Sequence, residues 1–254
     1  MTVTNTKPKE RYSYSRLSSF RQCPYSWKQR YIHGNKGIDN SFSDYGKIVH
    51  EILEQFSLGK LELFELSSIF ESRFDLVNWN FPHNKFVDLE ESYRNKGIAY
   101  FDNFEGWDAE VLGVEQEFEF TINGYDFIGY IDLILKKDDD IIIVDHKSKS
   151  KFSSKRDKME YTRQLYLYAY WVHEKYGKYP AKLIFNLFKS QVMIEIPFNM
   201  VAYKETIKWV LDTIEAIKIE TEFKPNVDVF FCANLCNIRE TCIHRTGVQI
   251  LEGE

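Results

Sequence analysis

The chain has 254 residues, a formal net charge of −5, and 44% hydrophobic and 16% aromatic residues, enough apolar material for one large domain or a core with a helical attachment. The opening MTVTNTKPKE has no apolar signal segment, and no run approaches the roughly 18 to 20 apolar residues of a membrane span, which excludes a membrane protein and leaves a soluble cytoplasmic one as the expectation. The acidic balance gives no global attraction to nucleic acid, although KSKSKFSSKRDK, residues 147–158, sets six basic residues against one acid and could grip phosphates locally or remain a solvated loop.

In chain order, residues 1–13 read as a flexible leader. YSYSRLSSFRQCPYSWKQRYIHG then reads as two short helices broken at Pro24, with Ser15 or Ser18 as a cap. In SDYGKIVHEILEQFSLG, Ile48, Ile52 and Phe56 recur at helical spacing, giving an amphipathic helix entered from Ser43 or Asp44 and closed near Gly59. Residues 62–76 and 86–104 also read as helical. From Glu110 the pattern alternates as strands do and turns at Asn123-Gly124, a strong hairpin signal. IIIVDH follows as a third strand, then a helix over about 158–176, two strands in AKLIFNLFK and QVMIEIPF, and a last helix over 198–220. This order predicts a helical part over 14–105, a mixed α/β core over 106–220 and a cysteine-rich tail over 221–254.

The stretch GYIDLILKKDDDIIIVDHKSK, residues 129–149, carries the chemistry. Asp132 interrupts one apolar strand, and Asp145, His146 and Lys147 end the next. Such groups are costly at an apolar sheet unless a salt bridge, a metal ion or a substrate phosphate partners them. On adjacent antiparallel strands the two carboxylates could converge, and Lys147 shares the face of Asp145 because side chains alternate. Two carboxylates favour a hard cation such as Mg²⁺ or Mn²⁺, and a lysine beside it suits hydrolysis of a phosphodiester.

Gly129-Tyr130-Ile131-Asp132 followed by Asp145-His146-Lys147 resembles the motif of the PD-(D/E)xK nuclease superfamily. Further matches are similar to its RecB-type nucleases: His50 in GKIVHEILEQF, and Gln164 and Tyr168 in RQLYLYAYW. The resemblance implies a restriction-endonuclease-like mixed sheet flanked by helices, with a helical N-terminal part and a Cys-rich C-terminal tail. It implies that Asp132, Asp145 and His50 hold Mn²⁺ or Mg²⁺ with the main-chain carbonyl of His146, and that Lys147 positions the nucleophilic water. Gln164 and Tyr168 are expected to touch DNA or the lysine. The family often places a glutamate before the Asp132 strand; Glu115 and Glu117 both qualify, Glu115 fitting slightly better.

Cys23 stands alone near the start, and Cys232, Cys236 and Cys242 crowd near the end with C-x3-C-x5-C spacing. This is similar to the iron–sulfur branch of these nucleases, which includes CRISPR-associated members, the AddB nuclease domain and phage homologues, and implies a [4Fe–4S] cluster on the four thiolates. A Cys₄ zinc site is the competing assignment. The expected function is metal-dependent exonucleolytic hydrolysis of single-stranded DNA or duplex ends, 5′-to-3′ by resemblance, with recombination or CRISPR-adaptation proteins as possible partners. A structure-specific endonuclease on the same core and a non-catalytic DNA-binding subunit are the rivals.

Overall fold

The computed structural model describes residues 10–245. Six strands form one sheet: β1 (Arg11–Tyr12), β2 (Glu110–Ile122), β3 (Tyr125–Lys137), β4 (Asp140–Lys147), β5 (Lys182–Leu187) and β6 (Val192–Pro197). β2, β3 and β4 are an antiparallel meander, and Asn123 and Gly124 take the positive φ values (47° and 82°) that a tight hairpin requires. β4 and β5 run parallel, so the chain must cross over between them, and helix α6 (Lys155–Tyr176) makes that crossover. β6 returns antiparallel to β5 and leads into α7 (Met200–Ile219).

The helical N-terminal part consists of α1 (Tyr14–Gln22), α2 (Pro24–Tyr31), α3 (Ser41–Ser57), α4 (Leu66–Asp75) and α5 (Leu89–Asp102). Ser13 caps α1, in place of the later serines, because its side chain reaches the Arg16 N–H. Asn40 enters α3 through a reciprocal capping box with Ser43, three or four residues earlier than the entry at Ser43 or Asp44 that the periodicity suggests. The apolar stripes of α3, α4 and α5 meet in an aromatic cluster around Tyr45, Phe70, Phe74 and Tyr93. A second core under α6 joins Phe118, Ile131, Ile143, Leu165 and Phe185, and a third ties α1, α2 and α7 to the β1 end of β3.

The leader expected over 1–13 extends too far. Arg11 and Tyr12 pair in parallel with Asp126 and Phe127, and the Tyr12 ring is buried against Tyr125 and Phe127 with the Arg16 guanidinium over it. Residues 1–9 and 246–254 lie outside the described residues. The mixed α/β class and, from α1 onward, the order of helices and strands are as the sequence implies, and no described helix is long and apolar enough to cross a membrane.

Candidate active site

The site forms where β2, β3 and β4 meet the side of α3. The pairing Leu133↔Val144 is the last on that side of the β3–β4 ladder, and one step beyond it Asp132 stands opposite Asp145. The backbone N–H of His146 donates to Asp132 Oδ2 at 2.7 Å, tying the ends of the two strands together. On the other flank of β3, Glu115 is opposite Asp132. Val114 packs in the layer of Leu133 and Val144, whereas Phe118 packs in the layer of α6. Strict alternation would put both on one face, so the pattern breaks between them, at Glu115, whose φ is +42°. A non-glycine residue held there is strained, and the result is a carboxylate turned inward. Glu117 instead points out and accepts from the Tyr130 hydroxyl at 3.0 Å.

His50 arrives from α3. One ring nitrogen, Nε2, lies 3.0 Å from the main-chain carbonyl of His146. A carbonyl only accepts, so Nε2 carries the proton and Nδ1 keeps its lone pair. Nδ1 lies 3.7 Å from Asp132 Oδ2 and 4.0 Å from Glu115 Oε1. Burial lowers the pKa of His50 despite the neighbouring Asp132, so the ring is neutral and competent as a ligand. His50, Glu115 and Asp132 thereby offer three ligand atoms within 4.8 Å of one another.

Asp145 lies beside this trio, with 1% of its surface exposed. The Lys147 ammonium is 2.6 Å from its Oδ2, an ion-pair contact without hydrogen-bond alignment, and both carboxylate oxygens lack a hydrogen-bond partner. Burial raises the Asp145 carboxyl to about 7, with Lys147 pulling it down and Asp132 pushing it up. Burial likewise raises Glu115 to about 7, with Asp132, Glu54 and Asp145 adding to the effect. A buried carboxylate with Lys147 on Oδ2 and no partner on Oδ1, beside two more carboxylates and a lone-pair nitrogen, is a donor set that fits a divalent ion.

Lys147 is held from a second side. Gln164 Oε1 accepts from its Nζ at 3.2 Å, and Gln164 Nε2 donates to the Tyr168 hydroxyl at 2.6 Å. Tyr168 is buried against Phe118, so within this fold it fixes Gln164 from the core side. Burial disfavours the ammonium, but Asp145 and Asp132 outweigh it and keep the Lys147 pKa above its ordinary value. The lysine is therefore held as a cation between Asp145 and Gln164.

The ring of His146 meets the His50 ring edge-on, with centroids 5.4 Å apart, and its other contacts lead into the core. It stacks on Trp107 at 5.7 Å, and its Nδ1 accepts from Asn186 Nδ2 at 3.1 Å, while the same amide donates to the Tyr100 hydroxyl at 2.7 Å. Burial lowers its pKa to about 3, so it stays neutral. The main chain of His146 also turns toward the site, its N–H on Asp132 and its carbonyl on His50. Sequence pattern alone does not single out Asn186. The available signal is a lone amide inside the apolar strand AKLIFNLFK, since a buried amide needs partners.

The basic run splits. Lys149 pairs with Asp157 at 3.0 Å and lies over the Tyr161 ring, and Ser154 caps α6, so only part of 147–158 is loop. Cys23, Cys232, Cys236 and Cys242 are free thiols lining one cavity. Cys23 caps α2, and a turn over Phe231–Leu235 carries Cys232. The tail is bound to the segment before α3: Ile38 N–H donates to the Asn237 carbonyl at 2.8 Å, and Asn40 Nδ2 donates to the Leu235 carbonyl at 3.3 Å.

No curated protein matches the chain. Among solved structures it is similar in fold to a Eubacterium rectale protein named "Putative exonuclease", at 12% identity and a TM-score of 0.55, covering 100% of this chain and 95% of that one. A protein named SSO0001 aligns over 95% of this chain and 89% of its own at 14% identity, with a TM-score of 0.41, too low to carry an argument. The model of the PD-(D/E)XK nuclease superfamily matches residues 11–243, nearly the whole length. This chain therefore belongs to the PD-(D/E)XK nuclease superfamily.

Proposed function

We propose that the protein is a metal-dependent DNA exonuclease acting on single strands or duplex ends. The observation that carries this is the convergence of His50, Glu115 and Asp132 beside the Asp145–Lys147 pair. Nucleases of this superfamily use divalent metals, and His50, Glu115 and Asp132, with Asp145 adjoining, would hold Mn²⁺ or Mg²⁺ here. Bound there, the ion supplies Lewis-acid polarisation of the scissile phosphate and a lowered pKa for water. The chain does the rest. Lys147, held protonated between Asp145 and Gln164, donates to the attacking water and to the phosphoryl oxygen on which charge builds. Tyr168 fixes Gln164 and so the ammonium, and the His146 main chain fixes Asp132 and His50.

The tail reading stays with the nuclease as a second element. Four thiols around one cavity are the donor set of a [4Fe–4S] cluster. A Cys₄ zinc site is the competing assignment for the same four thiols. In this reading 106–220 is the nuclease core, the helical part contributes His50 and the first thiolate, and the tail closes the cluster. A 5′-to-3′ direction and a place in recombination or CRISPR adaptation belong to the same reading by family resemblance.

The test uses protein purified without oxygen, end-labelled linear single-stranded DNA and Mn²⁺, beside Lys147→Ala and a metal-free control. Metal-dependent shortening that the variant loses is the expected result. Cutting of circular single strands would convert the reading to an endonuclease. Binding without cleavage in either metal would refute it.

A further inference from the structure

A cleft of about 830 Å³ lies between α1, α2, the first half of α6 and the tail, away from the metal-ligand trio. Its lining is basic in a chain whose net charge is −5: Arg21, Arg30, Lys36, Arg156 and Arg163 face Asp157 and Glu160. Both acids are already engaged, Asp157 by Lys149 and Glu160 by Arg156. Arg163 is the centre of the cleft. It stacks over the Trp209 ring at 4.8 Å, Trp209 packs against Tyr14 at 6.1 Å, and no carboxylate of the described residues lies within ion-pair distance of it. Burial and the neighbouring Arg21 and Arg156 lower its pKa, while Tyr14 and Glu160 only partly offset them. An oriented guanidinium without a counter-ion, beside two others, lacks an anion.

The cleft approaches the site at Tyr161. Tyr161 lines it and lies under Lys147, whose Nζ is 5.8 Å from the ring centroid. Arg163 and Gln164 are neighbours on α6, so one turn of helix presents Gln164 to the lysine and Arg163 to the cleft. At the far end the lining reaches Cys23, Cys236 and Asn237.

We infer that this cleft is the path of a single strand of DNA to Lys147, with Arg163 and Arg21 gripping its phosphates. The inference rests on the nuclease reading above and names the strand that the site receives. A basic track ending on an aromatic ring is how unpaired strands are held. The tail then forms one wall of the substrate path, which gives its docking onto residues 35–40 a role in binding DNA.

The experiment measures binding without cleavage. Fluorescence anisotropy in EDTA follows a labelled oligothymidylate and a blunt duplex of equal length across a salt series, for the wild type and for Arg21→Gln/Arg163→Gln. For single strands the slope of log K against log salt falls by about 0.7 for each phosphate that is no longer neutralised, so about 1.4 for the double variant. Affinity for the oligothymidylate drops about 10-fold at moderate salt, with thermal unfolding unchanged, and Arg163→Lys, which keeps the charge, recovers most of the slope. An unchanged slope and affinity in a folded double variant overturns the path. Wild-type binding to the blunt duplex that shows the same Arg dependence overturns its single-strand character. Failure of the nuclease reading appears separately, as absence of Mn²⁺-dependent cleavage by the wild type, and leaves the binding measurement decisive for the cleft.

Discussion

Replacing Glu115 by Gln separates a ligand role from a structural one, because the two predict opposite signs. In metal-free protein the Glu115 carboxyl, raised from 4.5 to about 7 by burial and by Asp132, Glu54 and Asp145, binds a proton more tightly folded than unfolded. An acid of that kind costs nothing below the unfolded value and destabilises increasingly as pH rises through the folded one. In full the shift corresponds to about 3 kcal/mol. The side chain is 33% exposed, so screening by water reduces this to roughly 1–2 kcal/mol. Glu115→Gln removes that cost. At pH 8 in EDTA the variant should melt roughly 2–8 °C above the wild type, and the difference should vanish toward pH 4.5. With Mn²⁺ the order reverses, because one of the three converging ligands is gone, and the metal-induced rise in Tm should largely disappear. Differential scanning fluorimetry at both pH values, with and without Mn²⁺, reads all four conditions. A variant that melts lower in EDTA at pH 8, or that keeps the full metal-induced rise, refutes the assignment.

Three further outcomes follow from the same geometry. Lys147→Met should lower cleavage by about 100-fold or more while Mn²⁺ binding by calorimetry persists, because the ammonium is 3.2 Å from Gln164 and pairs with Asp145 without belonging to the ligand trio. Asn186→Leu strips a buried donor from both His146 and Tyr100. It should cost about 1–3 kcal/mol in denaturant unfolding and about 10-fold in Mn²⁺ affinity, since His146 orients His50 and Asp132; a loss of stability with unchanged affinity would show the network to be structural only. Gly37→Ala is expected to release the tail: φ there is +67°, and a Cβ would sit 2.1 Å from the Asn237 carbonyl oxygen. Limited proteolysis should then cleave near the cysteines while Mn²⁺ binding at the sheet survives.

Local pattern carried much of this protein. Apolar alternation and the Asn123-Gly124 turn determined the meander, and helical spacing placed His50, Gln164 and Tyr168 on helix faces. Residues two apart on one strand put Asp145 and Lys147 on one side of it. These are short-range consequences of backbone geometry, and they are readable wherever periodicity is unbroken. Only the tertiary structure decided between Glu115 and Glu117, because the alternation of β2 breaks at Glu115 itself, where φ turns positive. It also decided that Tyr12 is core and not leader, since that burial comes from β3, more than a hundred residues away. It drew Asp145 toward Lys147 and left Glu115 to complete the trio with His50 and Asp132. It gave His146 two tasks, its ring packed between His50 and Trp107 and its main chain tied to Asp132 and His50, and joined Arg21, Arg163 and the tail into one cleft. Each of these depends on which distant segments pack together and what their burial does to a charge, and no local spacing in the chain encodes that.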